Sequence, residues 1–563
     1  MVGVLSGLAA ILLKNIVHAI VIFFSEFSTP GHLNFHYFLL PVMGIIITVV
    51  FVRKIIGEDI GHGVSRILYA ISKQRGYFKP HNNYSSIIAS SITVSMGGSA
   101  GLEAPIVLTG ASIGSTIGRL MRQNYKTIIL LIACGATGAI AGIFKAPIAG
   151  CIFALEILML DLTLWSVIPL LISSVTAASL SYFFLGKDVV FSFSIMEPFP
   201  LHNLPYYLLL GVFCGLIAWY FMSMIFITEE ILEKIHPIYW RVLAGSLVVG
   251  LLVFLFPPLY GEGYIALKEI LTGNSSQLSE HSIFHSIADN AFFFLFFLFL
   301  IIFLKVIATS FTTGSGGIGG VFAPALFVGG VTGTLFAKLL NMFSFINVSE
   351  YNFALVGMAG VFSGVLHAPL TAIFLIAELT NGYELFLPLI IVSAIAYVTE
   401  NYFQPHSIYT RRLAKKGELL THHKDKNILL MLKIQQVIET DFATVYPDDF
   451  LGNLVGAIAD SRRNIFPVVD NDGKLLGIVN LDDIRDVMFN QALYNVLYVK
   501  DLMNNPKAYI EIDDTMDVVM RKFEMSDAWN LPVIDKDGKY MGFISKSKIF
   551  TVYRNLLLQF SDE

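Results

Sequence analysis

Long apolar stretches make up most of this chain, and they limit its possible folds more than any other feature. Residues 1 to about 408 hold a series of such stretches, among them 128–160 and 353–379, and several are longer or shorter than the ~20 residues that a helix needs to cross a bilayer. Only 14% of the 563 residues are charged, and the mean hydropathy is +0.69. These values exclude an ordinary soluble protein. Because the backbone must satisfy its own hydrogen bonds in lipid, we predict an α-helical polytopic membrane protein.

Glycine and proline interrupt many of these stretches, which predicts broken and re-entrant helices buried in protein. The first stretch, within residues 1–24, has no small-residue cleavage site, so we interpret it as a first membrane helix rather than a signal peptide. Cys134, Cys151 and Cys214 lie in apolar segments without metal-ligand spacing, and we interpret them as buried hydrophobic residues.

The apolar region contains an internal repeat. The segments IFKAPIAGCIFALEI and VLHAPLTAIFLIAEL both carry Ala-Pro followed, nine residues after the proline, by a glutamate. The prolines are Pro147 and Pro369 and the glutamates are Glu156 and Glu378, so both pairs are 222 residues apart.

A second pair of segments follows the same order at nearly the same spacing. EAPIVLTGASIG (103–114) and FAPALFVGGVTG (322–333) are 219 residues apart, and each has glycines five and nine residues after its proline. Two matching pairs predict a transporter fold built from structural repeats, with its site at their interface. Spacing alone does not determine whether the halves are inverted.

The C-terminal quarter has a different composition. Residues 424–563 hold 38 of the 79 charged side chains, which predicts a soluble tail. This tail also repeats, because Pro467 and Pro532 are 65 residues apart, as are Gly477 and Gly542. Each copy reads as a strand, an Asp-Gly turn, a second strand and a helix, so we predict a tandem α/β module.

Three glycine-rich junctions precede predicted helices in the apolar region: IGHGVSR (60–66), GGSAGLEAP (97–105) and GSGGIGGVFAP (314–324). An unwound junction exposes backbone N–H groups, and the helix that follows points its positive dipole end at the same place. Several such helix starts that converge would bind an anion without a lysine or arginine. The alternative is that these glycines only allow close helix packing.

Glu103 stands at the start of one of these helices, inside the apolar region. A carboxylate suits the first turn of any helix, so it could simply stabilise the helix start. The equivalent residue of the second half is Phe322, however, and an acid needed only to begin a helix has no reason to occur in one half alone. We therefore predict that Glu103 occupies an anion position and leaves it when protonated or displaced.

These motifs together resemble the CLC family of chloride channels and proton-coupled chloride transporters, prokaryotic type. The motifs are GLEAP, GGVFAP, the two Ala-Pro helices that carry a glutamate, and QPHSIYTRRLAKKG. The tail resembles a tandem pair of cystathionine-β-synthase-type (CBS) domains, which are common in that family. The resemblance implies an inverted-repeat bundle of broken and re-entrant helices, and a homodimer with one pore per subunit.

The resemblance also implies roles for particular residues. Glu103 matches the protonatable gate glutamate, although Leu102 stands where a basic residue is usual and Ala104 where glycine is usual. The implied chloride-binding residues are His62, Gly63, Gly320, Val321, Phe322 and Tyr409. His62 takes the place of the family's serine, so it either donates a hydrogen bond to the anion or faces away while glycine amides bind it.

A second departure concerns the proton path. Family exchangers often carry an inner glutamate directly after the first of the repeated glutamates, and here Ile157 follows Glu156. The absence of that acid weakens the case for proton coupling without excluding it. We interpret Glu156 as a hydrogen-bonded structural acid, because Glu378 repeats it, and a proton relay is the alternative role.

The tail motifs for nucleotide binding are incomplete. The first copy, GIVNLDD, keeps Asp483 but has Asn480 at the hydroxyl position, and the second, GFISKSK, keeps Ser545 but has Lys548 at the acid position. We therefore favour a structural or dimer-contact role over adenine-nucleotide binding, and we expect no other cofactor and no metal.

The predicted function is transmembrane chloride transport, as proton-coupled exchange, with a passive chloride channel as the alternative. A CBS-regulated divalent-cation channel is more distant, because the path offers few acids. The HExxH motif is absent, and we predict no enzyme activity. The net charge of -5 gives no reason to expect a nucleic-acid partner.

We predict four regions: a transmembrane domain (1–409), a basic linker (410–433), and CBS domains at 434–496 and 497–563. The linker begins TRRLAKKG directly after the last apolar stretch. By the positive-inside rule, this places the linker and the tail in the cytoplasm. With the prokaryotic-type resemblance, we expect the protein in the cell (inner) membrane.

Overall fold

The computed structural model describes residues 1–25, 35–58, 60–61, 63–158, 164–186, 199–271, 291–343, 346–380, 382–415, 432 and 434–561. The chain forms two compact units, Met1–Leu419 and Leu420–Glu563. The first is helical and apolar, and the second contains the strands. The compositional change seen in the sequence therefore corresponds to a structural division.

The membrane unit begins with eight helices before residue 200. They are α1 (Val2–Ser25), α2 (His36–Val50, continued by a π-helical turn, Phe51–Ile56), α3 (Val64–Lys73), α4 (Ser85–Ser95), α5 (Glu103–Leu120), α6 (Tyr125–Phe144), α7 (Pro147–Ile157) and α8 (Leu164–Leu185). Short 3₁₀ turns at Pro80–Asn83, Leu201–Asn203 and Pro257–Leu259 connect helices of this unit.

Nine more helices complete the unit. They are α9 (Leu204–Glu233), α10 (Ile238–Leu255), α11 (Tyr264–Leu271), α12 (Ala291–Gly314), α13 (Phe322–Asn341), α14 (Glu350–Leu366), α15 (Pro369–Leu379), α16 (Phe386–Phe403) and α17 (Arg411–Lys415).

Nine helices in the described parts of the chain are long and apolar enough to cross a membrane: α1, α2, α6, α8, α9, α10, α12, α13 and α16. The helices α7 and α15 have only 11 residues each, and each begins at a proline, which cannot continue the helical hydrogen bonds of the segment before it. The apolar stretch 128–160 breaks between α6 and α7 at Lys145, and 353–379 breaks between α14 and α15 at His367. Both residues adopt positive φ and are 222 positions apart. The predicted polytopic bundle with broken helices is confirmed.

The two halves of this unit are related by a pseudo-two-fold axis. Gly101 and Gly320, which are 219 residues apart, pair in antiparallel fashion, and each N–H donates to the other's carbonyl at 2.7 Å. Around them, the Thr93 hydroxyl accepts from the Ile318 N–H at 3.1 Å, and the Thr312 hydroxyl accepts from the Ser99 N–H at 3.1 Å. Thr93 corresponds to Thr312 and Ser99 to Ile318, each pair 219 residues apart, so the loop before each helix is held by the opposite half.

The helices α7 and α15, one from each half, also form hydrogen bonds with each other. The Glu378 carboxylate, near the end of α15, accepts the Ile148 and Ala149 N–H groups at 2.9 and 2.8 Å, at the start of α7. Glu156, near the end of α7, accepts the Leu370 and Thr371 N–H groups at 3.0 and 2.8 Å, at the start of α15. Each helix therefore ends where the other begins, which requires antiparallel packing. The halves are inverted, a point that spacing alone left open.

The tail contains two similar α/β copies. Its helices are α18 (Ile434–Val437), α19 (Leu451–Asp460), α20 (Leu481–Ile484), α21 (Met516–Ser526) and α22 (Lys546–Ser561), and its strands are β1 (Ile465–Val469), β2 (Leu475–Asn480), β3 (Ile510–Glu511), β4 (Asn530–Ile534) and β5 (Tyr540–Ser545). Antiparallel pairs β1–β2 and β4–β5 turn at Gly473 and Gly538, both with φ near +80°. The predicted strand–turn–strand–helix repeat is confirmed.

The hydrophobic cores of the two copies interleave along the chain. Leu432, Ile434 and Val437 pack in the core formed by the second copy, while Val499 packs in the core of the first. In addition, Glu439 forms an antiparallel bridge with Phe543 of the second copy. The boundary at 496/497 stays a prediction. The core of the second copy includes residues that precede the first copy in the chain, so the second copy does not fold from one contiguous segment alone.

Candidate functional site: converging helix starts around Glu103

Three helix starts meet at one point of the membrane unit. Gly63 precedes α3, Ala104 lies in the first turn of α5, and Gly320 lies just before α13. A Cβ placed on Gly63 or on Gly320 would lie 2.8 Å from the Ala104 Cβ, so both glycines are required for this close approach. Because the first N–H groups of a helix have no partner within it, the junction carries positive partial charge.

A cavity of about 30 Å³ lies beside these helix starts, on the scale of about two water molecules. Predicted site residues Gly320, Val321 and Tyr409 line it together with Ala104. Tyr409 is buried, and its carbonyl accepts the Ser65 hydroxyl of α3 at 2.9 Å. This bond fixes the segment of Tyr409 against the same helix start that Gly63 precedes.

The cavity also has charged residues in its wall. Glu229 of α9 and Arg412 of α17 line it and form a two-point ion pair with each other. Sequence reasoning did not select either residue, although TRRLAKKG was recognised as basic. The signal that could have identified Glu229 is an acid near the end of a long apolar helix.

Glu103 is the first residue of α5 and is 1% exposed. Its Oε1 accepts the Tyr264 hydroxyl at 2.6 Å. The carboxylate also interacts with the backbone N–H groups of Glu103 and Ala323, and its Oε2 has no hydrogen bond of ordinary geometry within the described residues. The position of a Cβ on Gly101 would be 2.1 Å from this oxygen, so Gly101 makes room for the carboxylate.

Phe322 begins α13 at the position equivalent to Glu103, and its environment is different. Its ring is 1% exposed and packs against Phe144 and Phe362, with centroids 5.1 and 4.5 Å apart. Only its backbone is available at the helix start. The side-chain asymmetry between the halves is therefore real, with a carboxylate in one and an aromatic cluster in the other.

The remaining predicted residues lie elsewhere or are not described. His62 lies outside the described residues, so its predicted contact with an anion stays a prediction. Glu156 is bonded to the start of α15 by its two N–H contacts and by the Thr371 hydroxyl at 2.7 Å. Ile157, which replaces the family's inner acid, ends α7 and is buried.

In the tail, both predicted nucleotide residues are engaged by neighbouring side chains. The Asp483 Oδ2 accepts the side-chain amides of Asn480 and Asn504, each at 2.9 Å. The Ser545 hydroxyl donates to Glu439 at 2.6 Å. Their use by a nucleotide would require these bonds to be exchanged.

Polar and charged residues near Glu103 form a cluster that sequence reasoning missed. Lys14 of α1 interacts electrostatically with Glu103 and Glu262, and Lys305 of α12 interacts with Glu262. With Tyr264, these residues bring α1, α5, α11 and α12 to one place. The signal was present, because each lysine interrupts an apolar run, and a charge at membrane depth is costly.

The fold and the site together define an integral membrane protein of two inverted repeats, with helix starts directed at a shared internal site. Residues 43–401 match the family model of voltage gated chloride channels, and residues 434–490 and 499–555 match the CBS domain. Because the first match spans more than half of the chain, this protein belongs to the voltage-gated chloride channel (CLC) family and carries a tandem CBS tail.

Individual relatives agree with this membership. The chain is 30% identical over 367 residues to a protein of Ralstonia nicotianae named as a ClcB-like chloride channel, covering 63% of this chain and 80% of that protein. It is 30% identical over 332 residues to the H⁺/Cl⁻ exchange transporter ClcA of Yersinia pestis, covering 57% and 66%. The crystal structure of a slow cyanobacterial Cl⁻/H⁺ antiporter matches with a TM-score of 0.62 and 22% identity, over 74% of this chain and 96% of that one.

Proposed function

We propose that this protein exchanges chloride for protons across the cell (inner) membrane, with Glu103 as the gate. The observation that carries the proposal is the buried Glu103 carboxylate, which lies at converging helix starts with one oxygen bonded to Tyr264 and the other without an ordinary hydrogen bond. The similarity to named H⁺/Cl⁻ exchangers supports it. A passive channel is the alternative.

The physical basis is competition for one set of N–H groups. The helix starts near Ala104 and Val321 favour one negative charge, which either the Glu103 carboxylate or a chloride ion can supply. A protonated Glu103 is neutral and gives up this position, so chloride enters it from the cavity. The return of the carboxylate then releases a proton and expels the anion.

The tail has a structural or dimer-contact role in this proposal, in a cytoplasmic position, and the protein works as a homodimer with one path per subunit. The basic linker supports the cytoplasmic assignment. The engagement of Asp483 and Ser545 by other side chains supports a role without a nucleotide.

The test is a paired flux measurement in liposomes that contain the purified full-length protein. We expect a chloride gradient to drive proton movement through the wild type. Glu103→Gln is expected to abolish proton movement and to leave chloride passage, because the glutamine side chain does not titrate.

A matched control is Glu350→Gln, which removes a carboxylate from the first turn of α14, where it pairs with Lys338 on the surface. It should leave both fluxes unchanged. Chloride flux without proton movement in the wild type would instead establish the passive channel.

A further inference from the structure

Glu262 is a second carboxylate beside the gate, and its position calls for an explanation. It lies in the loop Gly261–Gly263 directly before α11, and its Oε1 accepts the N–H of Leu102 at 3.3 Å. Leu102 immediately precedes Glu103. Within the described residues, Glu262 is therefore bonded to the backbone that carries the gate.

The loop that carries Glu262 is held rigidly. The buried Lys305 ammonium donates to the carbonyls of Leu259 and Gly261 at 3.1 and 2.8 Å. Gly261 and Gly263 both adopt positive φ, and a Cβ on Gly263 would lie 2.7 Å from the ring of Phe327. The carboxylate is thus positioned by packing on both sides.

The charged and polar groups around Glu262 come from four helices. Glu103 of α5 and Lys14 of α1 interact with it electrostatically, as does Lys305 of α12, and Tyr264 of α11 donates to Glu103. Two carboxylates that interact in this way hold protons as a pair rather than separately. The two lysines offset the negative charge that the pair carries when it has lost a proton.

Accessibility distinguishes the two acids. Glu103 is fully buried, whereas Glu262 is only partly buried. A gate enclosed in this way needs a group through which protons reach water. Accepting one N–H does not need a charge, since a neutral amide oxygen would serve, and an acid at membrane depth is costly unless it is used.

We propose that Glu262 is a proton carrier that exchanges protons between water and the gate carboxylate. In the uptake direction, an O–H bond of the Glu262 carboxyl breaks and an O–H bond forms on the Glu103 carboxylate. The Glu262 carboxylate that remains is then protonated again from water. This inference rests on the proposed proton-coupled exchange. It assigns a proton step to the loop before α11 and not to α7.

The test compares Glu262→Gln with the wild type by chloride and proton flux in liposomes over a range of pH. The glutamine oxygen keeps the bond to Leu102, so the fold and the chloride flux are expected to be retained. We expect proton flux to fall by about a hundredfold, the lower end of what a positioned acid contributes. Glu262→Asp should restore part of it, and Glu269→Gln, a carboxylate further along α11, should behave as wild type.

The outcomes separate this inference from the proposed function. Proton flux in the wild type that Glu103→Gln stops, but that Glu262→Gln leaves unchanged at every pH, would overturn the role of Glu262 alone. A wild type that moves no protons would overturn both. Equal losses of chloride and proton flux in Glu262→Gln, with a lower unfolding temperature, would establish a purely structural residue and also overturn the inference.

Discussion

At the scale of single residues, the gate is defined by what surrounds one carboxylate. Glu103 could be selected from the sequence because its repeat partner is Phe322. Its partner Tyr264 could not be selected, because the two residues are 161 positions apart and only the tertiary structure brings them together. The hydroxyl gives the carboxylate a specific hydrogen bond in its buried position.

We predict that Tyr264→Phe speeds chloride transport and preserves proton coupling. A hydrogen bond to a charged group contributes about 1.5–3 kcal/mol, so its loss makes the gate easier to displace. Chloride flux should rise by roughly tenfold if about 1.4 kcal/mol of that stabilisation is lost. Tyr260→Phe is the control, because its hydroxyl donates to the Ser95 carbonyl at 2.6 Å. An unchanged flux in Tyr264→Phe would show that the bond does not restrain the gate.

At the scale of elements, helix starts are satisfied by residues from the opposite half. Glu156 and Glu378 each accept two N–H groups at the start of the partner helix, α15 or α7. The sequence predicted that these glutamates correspond and that Glu156 has a structural role. It did not indicate the reciprocal pairing, because a repeat spacing carries no information on direction.

We predict that Glu156→Gln and Glu378→Gln lower stability by similar amounts. Each substitution replaces charge-assisted bonds with bonds to a neutral amide, at a cost of about 1–3 kcal/mol. Thermal unfolding in detergent should show both losses, with that of Glu156→Gln partly reduced by the Thr371 hydroxyl. Proton coupling should survive in both. A loss of proton flux confined to Glu156→Gln would indicate the alternative role as a relay.

At the scale of the whole molecule, the boundary between the two units lies where the density of charged residues rises. The apolar unit ends and the charged unit begins within the basic linker, so the orientation of the protein depends on the side on which that linker lies. The buried state of Cys134, Cys151 and Cys214 allows this to be measured, because native thiols should give little background labelling.

We predict that a cysteine placed in the tail faces the cytoplasm. Asp472→Cys lies in the exposed turn between β1 and β2. A membrane-impermeant maleimide should label it only after intact cells are permeabilised. Labelling of intact cells would contradict the cytoplasmic assignment, and the wild type, measured in parallel, gives the background.

The sequence by itself determined the class of the molecule. Hydropathy, the 222- and 219-residue repeats and the change in charge near residue 420 established a repeated helical membrane unit with an α/β tail. The repeats also singled out Glu103, whose partner in the second half is Phe322. All of these features can be read from the sequence because they are local or periodic along the chain. Burial and hydrogen-bonding requirements act on every segment and leave such patterns in the order of residues.

Only the tertiary structure decided the relative direction of the two repeats and which residues form the site. The pairing of Gly101 with Gly320, and the grouping of Lys14, Glu262, Tyr264 and Lys305 around the gate, join residues from distant segments. The physical reason is that a polar group inside a bilayer takes its partner from whichever helix packs beside it. Such partners have no fixed spacing in sequence.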